Sequence, residues 1–146
     1  VDDVSLLATL PGGMSLALAR DALARTGHVL PVTGEDELTV ADWIATGMPG
    51  APDAFSDPVD HVIAGLRATL RDGTTLALAP SPRRAVGPDL VSLFVGTGGK
   101  VGDVTSVDVR VRRAGDPDAR VLPFELDRNP PADPAERALV DRVLDR

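Results

Sequence analysis

The chain has 146 residues, 43% of them hydrophobic, a formal net charge of -7, and neither cysteine nor tyrosine. That length predicts a single domain over 1–146 with room for a real core, and the apolar fraction excludes a chain disordered by composition. Disulfides, thiolate metal sites and a phenolic acid or base are excluded outright, and the acidic balance excludes nucleic acid, which needs a basic face.

Taken in order, Val4 to Leu10 reads as a strand ended by Pro11-Gly12-Gly13. Ser15 caps a helix running to about Arg25, with Leu16, Ala19 and Leu23 on one face and Gly27 as its stop. Val29 and Leu30 form a short strand before Pro31. Trp43, the single tryptophan, reads as a core anchor, and the prolines and glycines of Met48 to Pro58 predict a loop. His61 to Leu70 alternates, placing Val62, Ala64, Leu66, Ala68 and Leu70 on one face. Asp72-Gly73 predicts a type I′ turn, and Thr74 to Ala79 returns as the second strand of a hairpin.

Pro80 to Pro88 is a loop whose Arg83 and Arg84 read as a solvated basic turn. Asp89 to Val95 reads as a short apolar helix, followed by four glycines, Gly96, Gly98, Gly99 and Gly102. Glycine permits unusual backbone angles and leaves room for a close approach. In the strand beyond, Val107, Val109 and Val111 face one way and Ser106, Asp108, Arg110 and Arg112 the other. Gly115 to Ala119 predicts a turn and Arg120 to Leu126 a strand. Asp127 to Ala132 reads as a proline-rich linker, and a helix opens at Asp133, Pro134 and Glu136 with an apolar face of Ala135, Leu139 and Val143.

The run from Gly87 resembles the FAD-linked oxidases, the flavoprotein group of the vanillyl-alcohol oxidase, glycolate oxidase and alkyl-dihydroxyacetonephosphate synthase families. Their pattern is roughly G-x-D-L-x-x-L-F-x-G-S-E-G-T-L-G-I-V-T-E. Gly87, Asp89, Leu90, Leu93, Phe94, Gly96, Gly99, Gly102, Val104 and Thr105 match it; Thr97 stands for the serine, Gly98 for the glutamate, Lys100 for the threonine and Asp103 for the isoleucine. Val62, Gly65, Leu70, Asp72 and Gly73 match the family's hairpin, and Thr39 and Val40 match its T-[IV]-G-G, with Ala41 and Asp42 in the glycine positions.

The resemblance covers about Val4 to Arg113 and implies an α+β fold: a mostly antiparallel sheet with a few packed helices, like the second subdomain of a PCMH-type FAD-binding domain. It divides the chain into a lobe over 1–113 and an extension over 114–146. It also implies main-chain contacts to FAD from Thr39, Val40, Gly96, Thr97, Gly99, Gly102 and Val104. The implied protein is a lobe or subunit of an FAD-dependent oxidoreductase, its facing lobe supplied by another chain or an upstream segment. Because the sequence opens on Val1 rather than Met, removal of an upstream segment is part of that expectation. A second reading is a flavin-free relative that binds a protein partner or small ligand. Asp42 favours it, since one like charge about 4 Å from a diphosphate costs on the order of 4 kcal/mol. A cap role that turns Asp42 outward removes that cost.

Other chemistry has no support in the spacing. Counting back from Gly99-Lys100 reaches Phe94 where a Walker loop needs glycine, and Val101 follows the lysine. The dinucleotide fingerprint fails too, because Gly96 and Gly98 require a glycine at 101 and the order here is helix, glycines, strand. His28 and His61 form no ligand pattern, no spacing selects a catalytic triad, and no catalytic residue is assigned. No apolar run reaches the ~20 residues of a membrane helix, no secretory signal is visible, and the expected location is the cytoplasm.

Overall fold

A computed structural model of the chain describes residues 1–32, 36–51, 62–80 and 89–116. Within them the architecture is α+β. Four antiparallel strands, β1 (Leu7–Pro11), β3 (Ile63–Leu70), β4 (Thr75–Leu78) and β5 (Gly102–Arg110), make one sheet in the order β1-β5-β3-β4. A two-stranded antiparallel ribbon joins β2 (His28–Val29) to β6 (Arg112–Arg113). Helices α1 (Leu16–Arg25) and α2 (Val40–Ala45) share one apolar core with the sheet's inner face. No helix among the described residues is long and apolar enough to cross a membrane.

In β5 the core follows the predicted alternation. Val107 pairs with Leu10 on one side and Leu66 on the other, while Val109 pairs with Ala8 and Ile63. These side chains meet Leu16, Ala19 and Leu23 of α1 and Val40, Trp43 and Ile44 of α2. Trp43 is fully buried, and its indole N–H donates to the Pro49 carbonyl at 2.9 Å, so its polar atom is satisfied inside the core. Ser15 caps α1 by accepting from the Leu18 amide, and Gly27 ends it at φ +75°.

Four sequence expectations are corrected. The first strand begins at Leu7, because the Asp2 carboxylate accepts from the amides of Val4 and Ser5 and folds residues 2–5 into a turn that leaves Val4 93% exposed. The hairpin turn is not type I′: neither Arg71 nor Asp72 has positive φ, and only Gly73 does. Gly73 donates to the Leu70 carbonyl and Leu70 to the Thr74 carbonyl, giving a three-residue loop closed by a left-handed glycine. The Thr74 amide, donating to Asp72 Oδ1 at 2.8 Å, holds the Asp72 carboxyl below its ordinary value of 3.8.

The third correction concerns Asp89 to Val95, which forms turns rather than a helix. Asp89 Oδ1 accepts from the Val91 amide at 3.1 Å and the Ser92 hydroxyl donates to the Asp89 carbonyl at 2.6 Å. These local bonds compete with helical ones, leaving i→i−3 bonds from Phe94 to Val91 and from Val95 to Ser92. The fourth concerns the face of β3: a register shift between Ile63 and Gly65 sets Ile63, not Ala64, opposite Val109 in the core. Asp108 lies on the sheet's outward row, as expected, and is only 5% exposed. Thr9 from β1 donates to it at 2.5 Å and Arg67 from β3 approaches at 3.5 Å, so its charge is covered by neighbours on adjacent strands.

The expectations for His61, the Arg83-Arg84 loop, Gly87 and residues 117–146 lie outside the described residues.

Candidate functional site

The glycine loop follows the turns at 89–95 and docks on the C-terminal end of α2. A helix end exposes carbonyls that its own backbone cannot satisfy. Here the loop does so. Gly96 N–H donates to the Ile44 carbonyl at 3.0 Å and Gly98 N–H to the Ala45 carbonyl at 2.9 Å, while Met48 N–H reaches the Trp43 carbonyl at 2.8 Å. Gly47 and Gly96 pass so closely that a Cβ on either lies within 3.8 Å of the other's Cα. Gly96, Gly98 and Gly99 all have positive φ, between 62° and 73°, which explains the residue type at these three positions.

Among the described residues, three amides of the loop are left over, those of Thr97, Gly99 and Val101, and the first two flank Gly98. The loop is open beside them: a Cβ added at Gly98 meets nothing within 4 Å, and one at Gly99 meets only Arg71 Nη2 at 3.8 Å. Lys100 is exposed next to them.

Gly102 has a different reason to be glycine. A Cβ there comes within 2.4 Å of the Thr69 carbonyl oxygen and 2.9 Å of Leu70 Cα, so its residue type follows from close strand packing. Val104, two residues on, pairs with Ala68 and packs against the core.

Thr39 and Val40 sit at the opposite end of α2, a six-residue helix and hence about 9 Å long. The structure therefore does not gather the predicted site residues at one point: Thr39 and Val40 lie at one end of α2, Gly96, Thr97 and Gly99 in the loop at its other end, and Gly102 and Val104 in β5. The amides at the Thr39 end are committed. Val40 donates to Met14, Ala41 to Gly12, Asp42 to Thr39 Oγ1, and Trp43 to the Thr39 carbonyl. Asp42 is exposed and takes the cap role: the Thr39 hydroxyl donates to its Oδ2 at 2.7 Å, placing the carboxylate at the positive helix end.

Arg71, at the start of the hairpin loop, is a residue that sequence reasoning missed. Its Nη2 donates to the Gly99 carbonyl, its Nε donates to the Lys100 carbonyl at 3.3 Å, and its Nη1 lies 3.9 Å from Asp103 Oδ1. Nothing in a hairpin-loop position announces a contact 28 residues away. Among the described residues no group of His, Cys, Asp and Glu has the makings of a metal site. His28 is buried in β2, with Thr26 Oγ1 at 3.2 Å from Nδ1; Asp3 Oδ1 lies 2.9 Å from Nε2 without hydrogen-bond alignment.

No family model matches the chain. It is 26% identical over 113 residues to "Uncharacterized FAD-linked oxidoreductase YgcU" of Escherichia coli K12, and equally to its counterpart in strain O157:H7. The match takes in 76% of this chain but only 23% of those relatives. Two solved structures of alkyldihydroxyacetonephosphate synthase superpose with TM-scores of 0.63 and 0.61 at 22% and 21% identity, each over 77% of this chain. The chain spans about a fifth of those structures, which carry the likeness of fold. Over about three quarters of its length, then, the chain is homologous to one segment of the FAD-linked oxidoreductase YgcU and shares its α+β fold with one segment of alkyldihydroxyacetonephosphate synthase.

Proposed function

We propose that the chain is the second lobe of the FAD-binding domain of an FAD-linked oxidoreductase, and that its glycine loop supplies main-chain contacts to the cofactor. The observation that carries this reading is the pair of unengaged N–H groups of Thr97 and Gly99 on an open, left-handed loop. Two such donors suit the oxygens of an anionic cofactor. Gly96 positions the loop on α2 with its own amide, and Gly102 and Val104 fix where the loop enters the sheet. Thr39 and Val40 take part through the opposite end of α2, at a distance an extended dinucleotide can span. Asp42 does not oppose the diphosphate, because its charge is turned to the helix cap. FAD, when bound, supplies the hydride acceptor; the chain's own residues bind and orient it.

The facing lobe is assigned to a further segment or a second chain, in keeping with the small fraction of the relatives that this chain spans. The flavin-free reading keeps one specific support: all four amides opening α2 are already spent within the chain.

Titration of the complete polypeptide that carries this chain with FAD, followed by absorbance near ~450 nm, separates the two readings. The proposal predicts saturable binding. It further predicts that Gly99→Asn weakens binding at least about tenfold, ~1.4 kcal/mol, while the melting temperature stays nearly constant, because asparagine tolerates positive φ and has room there. Absence of binding at millimolar FAD selects the flavin-free relative.

A further inference from the structure

The geometry points to Arg71 as a positioning residue that holds the second half of the glycine loop in its donor-presenting shape. As a role in cofactor binding, this rests on the reading given above; as a statement about the loop, it stands on contacts alone.

A loop with three left-handed glycines in four residues has little intrinsic preference for one shape, since glycine loses more freedom on ordering than any other residue. Something outside the loop must select it. The first half is fixed by α2, through Gly96 to Ile44 and Gly98 to Ala45. The second half lies beyond that helix. There Arg71 donates to two successive carbonyls, those of Gly99 and Lys100, and so sets the planes of two consecutive peptides. Those two peptides carry the Lys100 N–H, which is spent on the Thr97 carbonyl, and the Val101 N–H, which is not; the Gly99 N–H lies between the two anchors and that of Thr97 within the first.

Arg71 can act this way because its own base is rigid. The hairpin loop is closed by Leu70 N–H to Thr74, Gly73 N–H to Leu70 and Thr74 N–H to Asp72 Oδ1. The same hairpin end is pressed against the loop's exit, where Leu70 pairs with Gly102 and the missing side chain lets the two backbones touch. The guanidinium then reaches from a fixed platform to neighbouring carbonyls, a task suited to its planar fork of donors. A lysine, with a point charge on a longer tether, restores attraction without fixing both planes.

The test uses the ¹⁵N-labelled protein and the variants Arg71→Gln and Arg71→Lys. In the wild type, amide order parameters for Gly99, Lys100 and Val101 should lie near the rigid value of about 0.85. In Arg71→Gln they should fall toward ~0.6, with Gly96, Gly98 and the β5 amides unchanged. FAD dissociation constants should rise about tenfold in Arg71→Gln and recover partly in Arg71→Lys. Unchanged order parameters in Arg71→Gln overturn the inference, as does a loss spread evenly over the whole chain. If wild-type protein binds no FAD, the cofactor reading falls, and the order parameters alone judge Arg71.

Discussion

Replacing Trp43 by alanine should lower stability by about 3–5 kcal/mol, the largest effect expected of any core position in this chain. The side chain is fully buried between α2 and the sheet, and no neighbouring side chain is free to fill the space of an indole. The Pro49 carbonyl would also lose its donor. For a domain of this size the loss corresponds to roughly 10–20 °C in Tm. Trp43→Phe keeps one aromatic ring but removes the N–H together with part of the indole's volume, so a smaller loss of about 1–3 kcal/mol is expected. Thermal or urea unfolding followed by circular dichroism measures both, and a Trp43→Ala cost under 1 kcal/mol would remove α2 from the core as described.

A second large effect is expected at Gly102. An alanine there drives its methyl into the Thr69 carbonyl oxygen and Leu70 Cα, main-chain atoms of the paired strand that cannot swing aside. Such overpacking costs typically ~1–3 kcal/mol and should reach about 3 kcal/mol here, since β3 and β5 would have to separate. Ordering alanine is cheaper than ordering glycine by about 0.5–1 kcal/mol, which offsets only part of it. Gly102→Ala should therefore lose FAD affinity and stability together, whereas Gly99→Asn loses affinity alone. Equilibrium unfolding beside FAD titration reads the contrast; a Gly102→Ala protein as stable as wild type would contradict the close strand approach.

That contrast marks where the sequence stops being readable. Its four clustered glycines share one letter and have two physical causes. Gly96, Gly98 and Gly99 answer to positive φ, while Gly102 answers to a backbone 2.4 Å from where its Cβ would be. Neither cause is visible without the partner element. Features set by local rules were legible: the Ser15 cap, the Asp72-Gly73 reversal and the Val107, Val109 and Val111 stripe are each written in nearby residues.

Features set across the fold were not. Asp108 reads as facing away from the valines, and nothing near it shows that Thr9, 99 residues away in sequence, covers it. Asp89 to Val95 carried a helical apolar pattern, but Asp89 and Ser92 side chains bond the local backbone and tighten it into turns. At the candidate site the motif picked out the glycine loop, yet not which of its amides are spent on α2. Arg71 escaped because a hairpin-loop arginine has no periodicity and no motif to mark it.

The proposed role requires a loop that gives the Gly96 and Gly98 amides to α2 and keeps those of Thr97 and Gly99 for a cofactor. The most direct measurement is a ¹⁵N–¹H amide spectrum of the protein during titration with FAD. The Thr97 and Gly99 resonances should move with saturable shifts while those of Leu66 and Val107, paired inside the buried sheet, stay in place. If saturating FAD leaves Thr97 and Gly99 unmoved, or moves only amides far from the glycine loop, the loop is no more than a cap for α2.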